Sequence, residues 1–261
     1  QGIVLLRMQI KHCIILLSLF AFVVANAQQS DSLDLYLLIG QSNMAGRGEV
    51  KDKYAEEQYP NVLMLTKEKQ WVIAKHPLHF DKSVAGVGPG LSFGKEMTAI
   101  SKGRKVGLIP CAVGGTSIDV WQPGGFDKST NTHPYDDAID RLNTALRSGK
   151  LKGVIWLQGE ADSGAEKAAS YLSKLTVLIS RVRSIVNNPQ LPFVAGELGQ
   201  FKEQYQNINK ELAKLPATVP ETAVASSKGF IDKGDQTHFD AESMEQYGIR
   251  FAEKMKLLLA K

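Results

Sequence analysis

Cysteine is nearly missing from this chain. Of its 261 residues only two are cysteines, Cys13 and Cys111. Cys13 falls in an N-terminal segment expected to be removed. Cys111 then stands alone, which excludes an internal disulfide in the domain that follows. It sits in the apolar stretch Val106 to Val113, where a small buried hydrophobe is expected rather than a reactive thiol. A large charge of one sign is also lacking. Lys and Arg number 31 against 27 Asp and Glu, and the lysines are scattered. That gives no footprint for nucleic acid or an anionic surface as partner. Metal-ligand spacing is missing too. His76-Pro77-Leu78-His79 has two histidines with a proline between them and reads as a loop. Gly86-Val87-Gly88-Pro89-Gly90 lacks both the strand before it and the Gly-Lys-Ser/Thr ending of a phosphate loop. No metal and no cofactor are expected. Internal repeats, low-complexity tracts and interdomain linkers are not visible.

One long apolar run does occur, Cys13 to Val24. It lies within Met8–Ala27, where Lys11 supplies a positive charge near the start and the small-x-small site Ala25-Asn26-Ala27 stands at the end. This is the layout of a secretory signal peptide. The run is too short, and its exit too polar, for a membrane span. Residues 1–27 are therefore expected to be upstream sequence and leader, and residues 28–261 a single domain. The mature protein is expected to be secreted or periplasmic, without stable membrane association. Losing Arg7 and Lys11, with no acid in that segment, lowers the net charge from +4 to +2.

What remains has the composition of a globular protein, 43% hydrophobic and 22% charged. Leu33 to Ile39, Lys105 to Val113, Val154 to Leu157 and Leu191 to Ala195 read as buried strands, with a further strand at 223–226. Residues 62–74 read as a small hairpin or surface excursion. Helical spacing marks 91–100, 135–146, 165–186, 203–212 and 241–259. This alternation predicts a mainly parallel sheet with helices on both faces, a three-layer α/β/α sandwich.

In such sheets ligands bind beyond the carboxyl ends of the strands. Four polar or glycine-rich clusters fall there: Gly40-Gln41-Ser42-Asn43, Gly114-Gly115-Thr116, Gln158-Gly159-Glu160-Ala161-Asp162 and Asp235-Gln236-Thr237-His238. Together they suit acyl transfer. A serine hydroxyl needs a base to take its proton, and His238 is the candidate base for Ser42. Asp235, three residues before His238, can reach its second ring nitrogen. The backbone amides of Ser42 and Gly115 are candidate oxyanion donors, with the side chain of Gln158 a third. Gln41, Asn43 and Trp121 are candidates for substrate contact. Trp121 suits either stacking on a sugar or a structural role. Each residue taken singly has a bland reading as cap, turn or loop. Their joint placement carries the argument.

Gly40-Gln41-Ser42-Asn43-Met44, Gly114-Gly115-Thr116-Ser117, Trp156-Leu157-Gln158-Gly159-Glu160 and Asp235-x-x-His238 resemble the SGNH hydrolases. More specifically, they resemble the sialate O-acetylesterase-like branch, which includes the acetylxylan esterases of carbohydrate esterase family six. The resemblance spans residues 33–250. It implies a flavodoxin-like SGNH-hydrolase fold and metal-independent ester hydrolysis, with Ser42 as nucleophile and His238 as base. Gly-Gln-Ser replaces the superfamily's Gly-Asp-Ser, and Gln158 stands where an asparagine is expected. The acid remains open. Asp235 is favoured, with Glu160 either supporting His238 or ordering its loop. The expected substrate is an acetylated carbohydrate such as xylan or sialic acid. A lipid, aryl-ester or thioester hydrolase, and a catalytically dead carbohydrate-binding protein, are the alternatives.

Overall fold

Strand β1 (Leu33–Gly40) is buried along its whole length. Its side chains alternate between two cores, as a strand's period of two dictates. Leu35, Leu37 and Ile39 face one core, and Tyr36 and Leu38 the other. The computed structural model describes residues 32–261, so the expected leader lies outside the described residues. β1 is central because it pairs in parallel with two neighbours, β4 (Val106–Pro110) and β5 (Gly149–Leu157).

The sheet is completed by β2 (Gln58–Leu65), β3 (Trp71–Lys75), β6 (Phe193–Gly196) and β7 (Thr222–Ala225). Its order is β3-β2-β4-β1-β5-β6-β7. Only β3 runs antiparallel to its neighbour. Residues 62–74 do form a hairpin, but β2 also pairs with β4, so the hairpin is the edge of the main sheet rather than an excursion from it.

The four-residue helix α1 (Ser42–Ala45) follows β1 directly. On one face, α3 (Pro134–Ala145), α4 (Tyr171–Ile185) and α5 (Tyr205–Leu212) bring Leu142, Leu175, Leu178 and Ile208 against Leu35, Leu37 and Trp156. On the other face, α2 (Gly90–Met97) and α6 (Ala241–Leu259) bring Phe93, Met97, Tyr247 and Phe251 against Tyr36, Leu38 and Ile155. Each large apolar side chain so buried contributes about 1.5–3 kcal/mol. This is the expected three-layer sandwich. The helix expected over 165–186 is broken: Ala165–Ala168 and α4 are separate segments.

Two features aim this scaffold at one edge. β1 lies between β4 and β5, so the chain leaves all three strands on the same side, at a topological switch point. Gly40 ends β1 with φ +138, where a Cβ would run into the Leu157 carbonyl of β5. Glycine therefore lets the turn into Ser42 lie directly against the end of β5. No helix among the described residues is long and apolar enough to cross a membrane.

Candidate active site

Ser42 is the first residue of α1, and first-turn amides have no acceptor inside their own helix. Its hydroxyl meets an imidazole brought from 196 residues away, with His238 Nε2 lying 3.0 Å from Ser42 Oγ. On the other side of that ring, Nδ1 lies 2.7 Å from Asp235 Oδ2. The Asp-x-x-His spacing works because one carboxylate does two tasks. Asp235 Oδ1 accepts the backbone N–H of Thr237 at 2.9 Å and of His238 at 2.7 Å, winding the loop back onto the ring. Burial pushes the Asp235 carboxyl up. Hydrogen bonds from the His238 amide, its ring and the Thr237 amide outweigh that and bring it down to about 2. An ionised Asp235 can orient the ring, and it would favour an imidazolium were Ser42 to give up its proton.

Phe239 fixes the other end of this loop. It is fully buried, with edge-on contacts to Phe201, Phe230 and Tyr247. Asp240 then caps α6 by accepting the Ser243 N–H at 2.8 Å.

Glu160, the other candidate acid, does not reach His238. Its Oε1 accepts from Asn43 Nδ2 at 2.5 Å. Burial raises its carboxyl above the usual range, against the lowering effect of backbone hydrogen bonds and Asn43. Asn43 in turn donates to Thr237 O at 3.0 Å and accepts Phe239 N–H at 3.2 Å. It thus ties the serine turn to both flanks of His238. Expected at the substrate, Asn43 is 1% exposed and holds the two halves of the site together instead.

The Gly114–Gly115 turn lies beside Ser42, since a Cβ on Gly114 would stand 3.4 Å from Ser42 Cβ. Gly115 is exposed and has φ +89, a conformation that glycine adopts freely. The serine turn and the Gly114–Gly115 turn are thus neighbours. The turn is held from both ends. Gly114 N–H donates to Asp81 Oδ2 at 2.9 Å, and Asp81 also pairs with Arg47 Nη2 at 2.7 Å. Both side chains of that ion pair are buried, and Arg47 Nη1 reaches Gly46 O at 2.7 Å. Further along, Asp162 accepts from Ser117 Oγ at 2.5 Å and from Ile118 N–H at 2.8 Å.

Two more expected contacts are corrected here, and one open choice is decided. Gln158 does not present its amide to an oxyanion. It is fully buried, and its Nε2 lies within reach of Asp162 Oδ2 (2.6 Å), Thr116 O (3.0 Å) and Gln41 Oε1 (3.1 Å). Two N–H bonds facing three acceptors leave no donor over. Its Oε1 accepts from Tyr171 OH at 3.0 Å. Gln41, held by that bond, is 3% exposed. Trp121 is 2% exposed, with its ring edge-on to Trp156 at 5.3 Å and its Nε1 donating to Thr116 Oγ1 at 3.2 Å. It takes the structural role and offers no face to a sugar.

In the sequence Asp162 stands in a strand-end cluster without an assigned role, and Arg47 and Asp81 are not singled out. Nothing local marks Arg47 and Asp81, which meet across 34 residues. His76 and His79 have separate partners, Glu57 at 3.5 Å and the Ala112 N–H at 3.2 Å. Among the described residues, no group of three or more His, Cys, Asp or Glu could hold a metal ion.

The comparisons with known proteins bear on what this arrangement serves. A family model described as carbohydrate esterase, sialic acid-specific acetylesterase, matches residues 32–257. A probable carbohydrate esterase of Arabidopsis thaliana is 31% identical over 239 residues, covering 84% of this chain and 88% of the relative. A solved structure of an Arabidopsis thaliana protein superposes with a TM-score of 0.77 at 27% identity, over 87% of this chain and 98% of that one. A carbohydrate acetylesterase from Xanthomonas citri shares the fold with a TM-score of 0.66 at 21% identity, over 86% of this chain and 56% of that one.

Proposed function

This chain belongs to the sialic acid-specific acetylesterase family of carbohydrate esterases, and from that premise we propose that it removes O-acetyl groups from glycans through an acetyl-serine intermediate on Ser42. The observation that carries the reading is the continuous relay from Ser42 Oγ to His238 Nε2 (3.0 Å) and from His238 Nδ1 to Asp235 Oδ2 (2.7 Å).

In the first half-reaction Ser42 Oγ forms a bond to the acetyl carbonyl carbon, and its proton passes to His238 Nε2. The negative charge that develops on the carbonyl oxygen faces the amides of Ser42 and Gly115. A single donor of this kind is worth about 10²–10³ in rate. The ester C–O bond then breaks, and His238 gives its proton to the departing sugar hydroxyl. In the second half-reaction water loses a proton to His238 and attacks the acetyl-enzyme. The proton returns to Ser42 Oγ as acetate leaves. Asp235 stays ionised throughout. The substrates that fit the reading are acetylated xylan, O-acetylated sialic acid and related glycans. Residues 8–27 are proposed to export the enzyme to them.

The test is acetate release from 4-nitrophenyl acetate, acetylated xylan and O-acetylated sialic acid, by the wild type and by Ser42→Ala. Release from the small ester and one glycan, abolished in the variant, is the expected result. Undiminished release by Ser42→Ala would remove the nucleophile from the account.

A further inference from the structure

A cavity of about 360 Å³ opens beside the end of β4, outside the relay just described. Its walls include His79, Phe80, Asp81, Thr132, Asp137 and Arg141. It adjoins the nucleophile turn through Asp81, whose carboxylate takes the Gly114 N–H at 2.9 Å. The cavity is at the small end of the range for small-molecule sites.

Three features define what would fit. Phe80 is 39% exposed, and the Arg141 guanidinium sits over its ring at 4.5 Å from the centroid. The ring is thus braced yet still open to solvent. His79 is 3% exposed, and its Nδ1 accepts the Ala112 N–H, which puts its proton on Nε2. That Nε2 is buried and has no partner among the described residues. Buried donors are nearly always paired, so an occupant with an acceptor oxygen would complete it. Asp137 and Asp140 offer acceptors and Lys67 a donor, while Lys69 is already paired to Asp140 at 2.5 Å. Donors and acceptors beside an exposed aromatic ring match a neutral polyhydroxylated ring. A carboxylate would meet Asp137 and Asp140, and an alkyl chain would leave the polar walls unpaired.

We propose that this cavity is a glycan subsite. It holds a neutral sugar unit adjoining the acetylated one, so that the enzyme draws its ester from an oligosaccharide chain rather than from a free monosaccharide. The proposal rests on the glycan acetylesterase reading for its substrate, but its binding can be measured without the chemistry.

Calorimetric titration of Ser42→Ala with xylotetraose and with xylose reads binding alone. The expected result is tighter binding of the tetrasaccharide, weakened about tenfold by adding Phe80→Ala and restored by Phe80→Tyr, which keeps the ring. Kinetics supply the second readout. The ratio of kcat/KM for mono-acetylated xylotetraose to that for 4-nitrophenyl acetate should fall about tenfold in Phe80→Ala, mainly through KM. Equal binding of xylose and xylotetraose, or a ratio untouched by Phe80→Ala, overturns the subsite. Absence of any ester hydrolysis together with intact, Phe80-dependent binding overturns the esterase reading and leaves the subsite standing.

Discussion

At the scale of single residues, two carboxylates have opposite environments. Hydrogen bonds from the His238 amide and ring and the Thr237 amide bring the Asp235 carboxyl down to about 2, whereas burial raises Glu160 despite backbone hydrogen bonds and Asn43. Asp235→Asn is therefore expected to lower kcat about 10³–10⁴-fold, because the wrong imidazole tautomer is stabilised. Glu160→Gln, which still offers Asn43 an oxygen, should cost far less, and steady-state kinetics of the two variants will tell them apart. A larger loss in Glu160→Gln would reverse the assignment. The pH consequence has a definite sign. Asp235 titrates lower in the folded protein than its ordinary 3.8. Its contribution to stability is therefore present above 3.8 and lost as pH falls through about 2. The Asp-x-x-His pair was legible in the sequence because both partners share one turn. Gln41 and Asn43 are expected at the substrate and Gln158 at the oxyanion because they sit beside strand ends, and the sequence leaves Trp121 open between a sugar contact and a structural role. A sequence gives such a residue's position along the chain but not the side on which its atoms find partners.

At the scale of elements, the site is a set of turns clamped together by buried polar groups. Arg47 and Asp81 clamp the serine turn to the Gly114 turn. Removing Arg47 leaves Asp81 buried without its counter-charge, so Arg47→Ala should cost about 3–5 kcal/mol in chemical denaturation. Gln158→Leu should lower Tm, since the Thr116 carbonyl and the Gln41 amide oxygen lose the donor that Gln158 supplies, at about 1–3 kcal/mol for each group left unpaired. A variant that keeps its Tm but loses rate would return Gln158 to the oxyanion role. His79 makes the 76–90 loop acid-sensitive. Burial, the main cause, brings its imidazole down from 6.5 to about 3, so the unfolded chain takes up a proton more readily than the folded one. His79 thus contributes full stability above 6.5 and loses it progressively as pH falls toward 3. His79→Asn, whose Oδ1 can take the Ala112 N–H, should show a smaller drop in Tm between pH 7 and pH 5 than the wild type. Helix α6 was readable end to end from its apolar spacing. The hairpin's membership of the sheet was not, because pairing between β2 and β4 links residues far apart in sequence.

At the scale of the whole molecule, the parallel sheet does one thing for function. It ends β1, β4 and β5 at a common edge and lets three loops, with the turn before α6, meet around Ser42. The alternation of strands and helices made that architecture legible. The strand-end motifs marked the turns that meet around Ser42, and the family match extends from residue 32 to residue 257. The sequence did not reveal which polar groups hold the turns in place, because those contacts exist only after folding. The account's central claim is that Ser42 is the nucleophile of an ester hydrolase. The most direct test is inactivation with a fluorophosphonate, followed by peptide mapping, while hydrolysis of 4-nitrophenyl acetate is monitored. The account predicts one adduct per chain, on Ser42, with activity lost in proportion to labelling and no adduct in His238→Ala. Proportionate inactivation with the adduct on another residue, or full activity with Ser42 completely labelled, would contradict it.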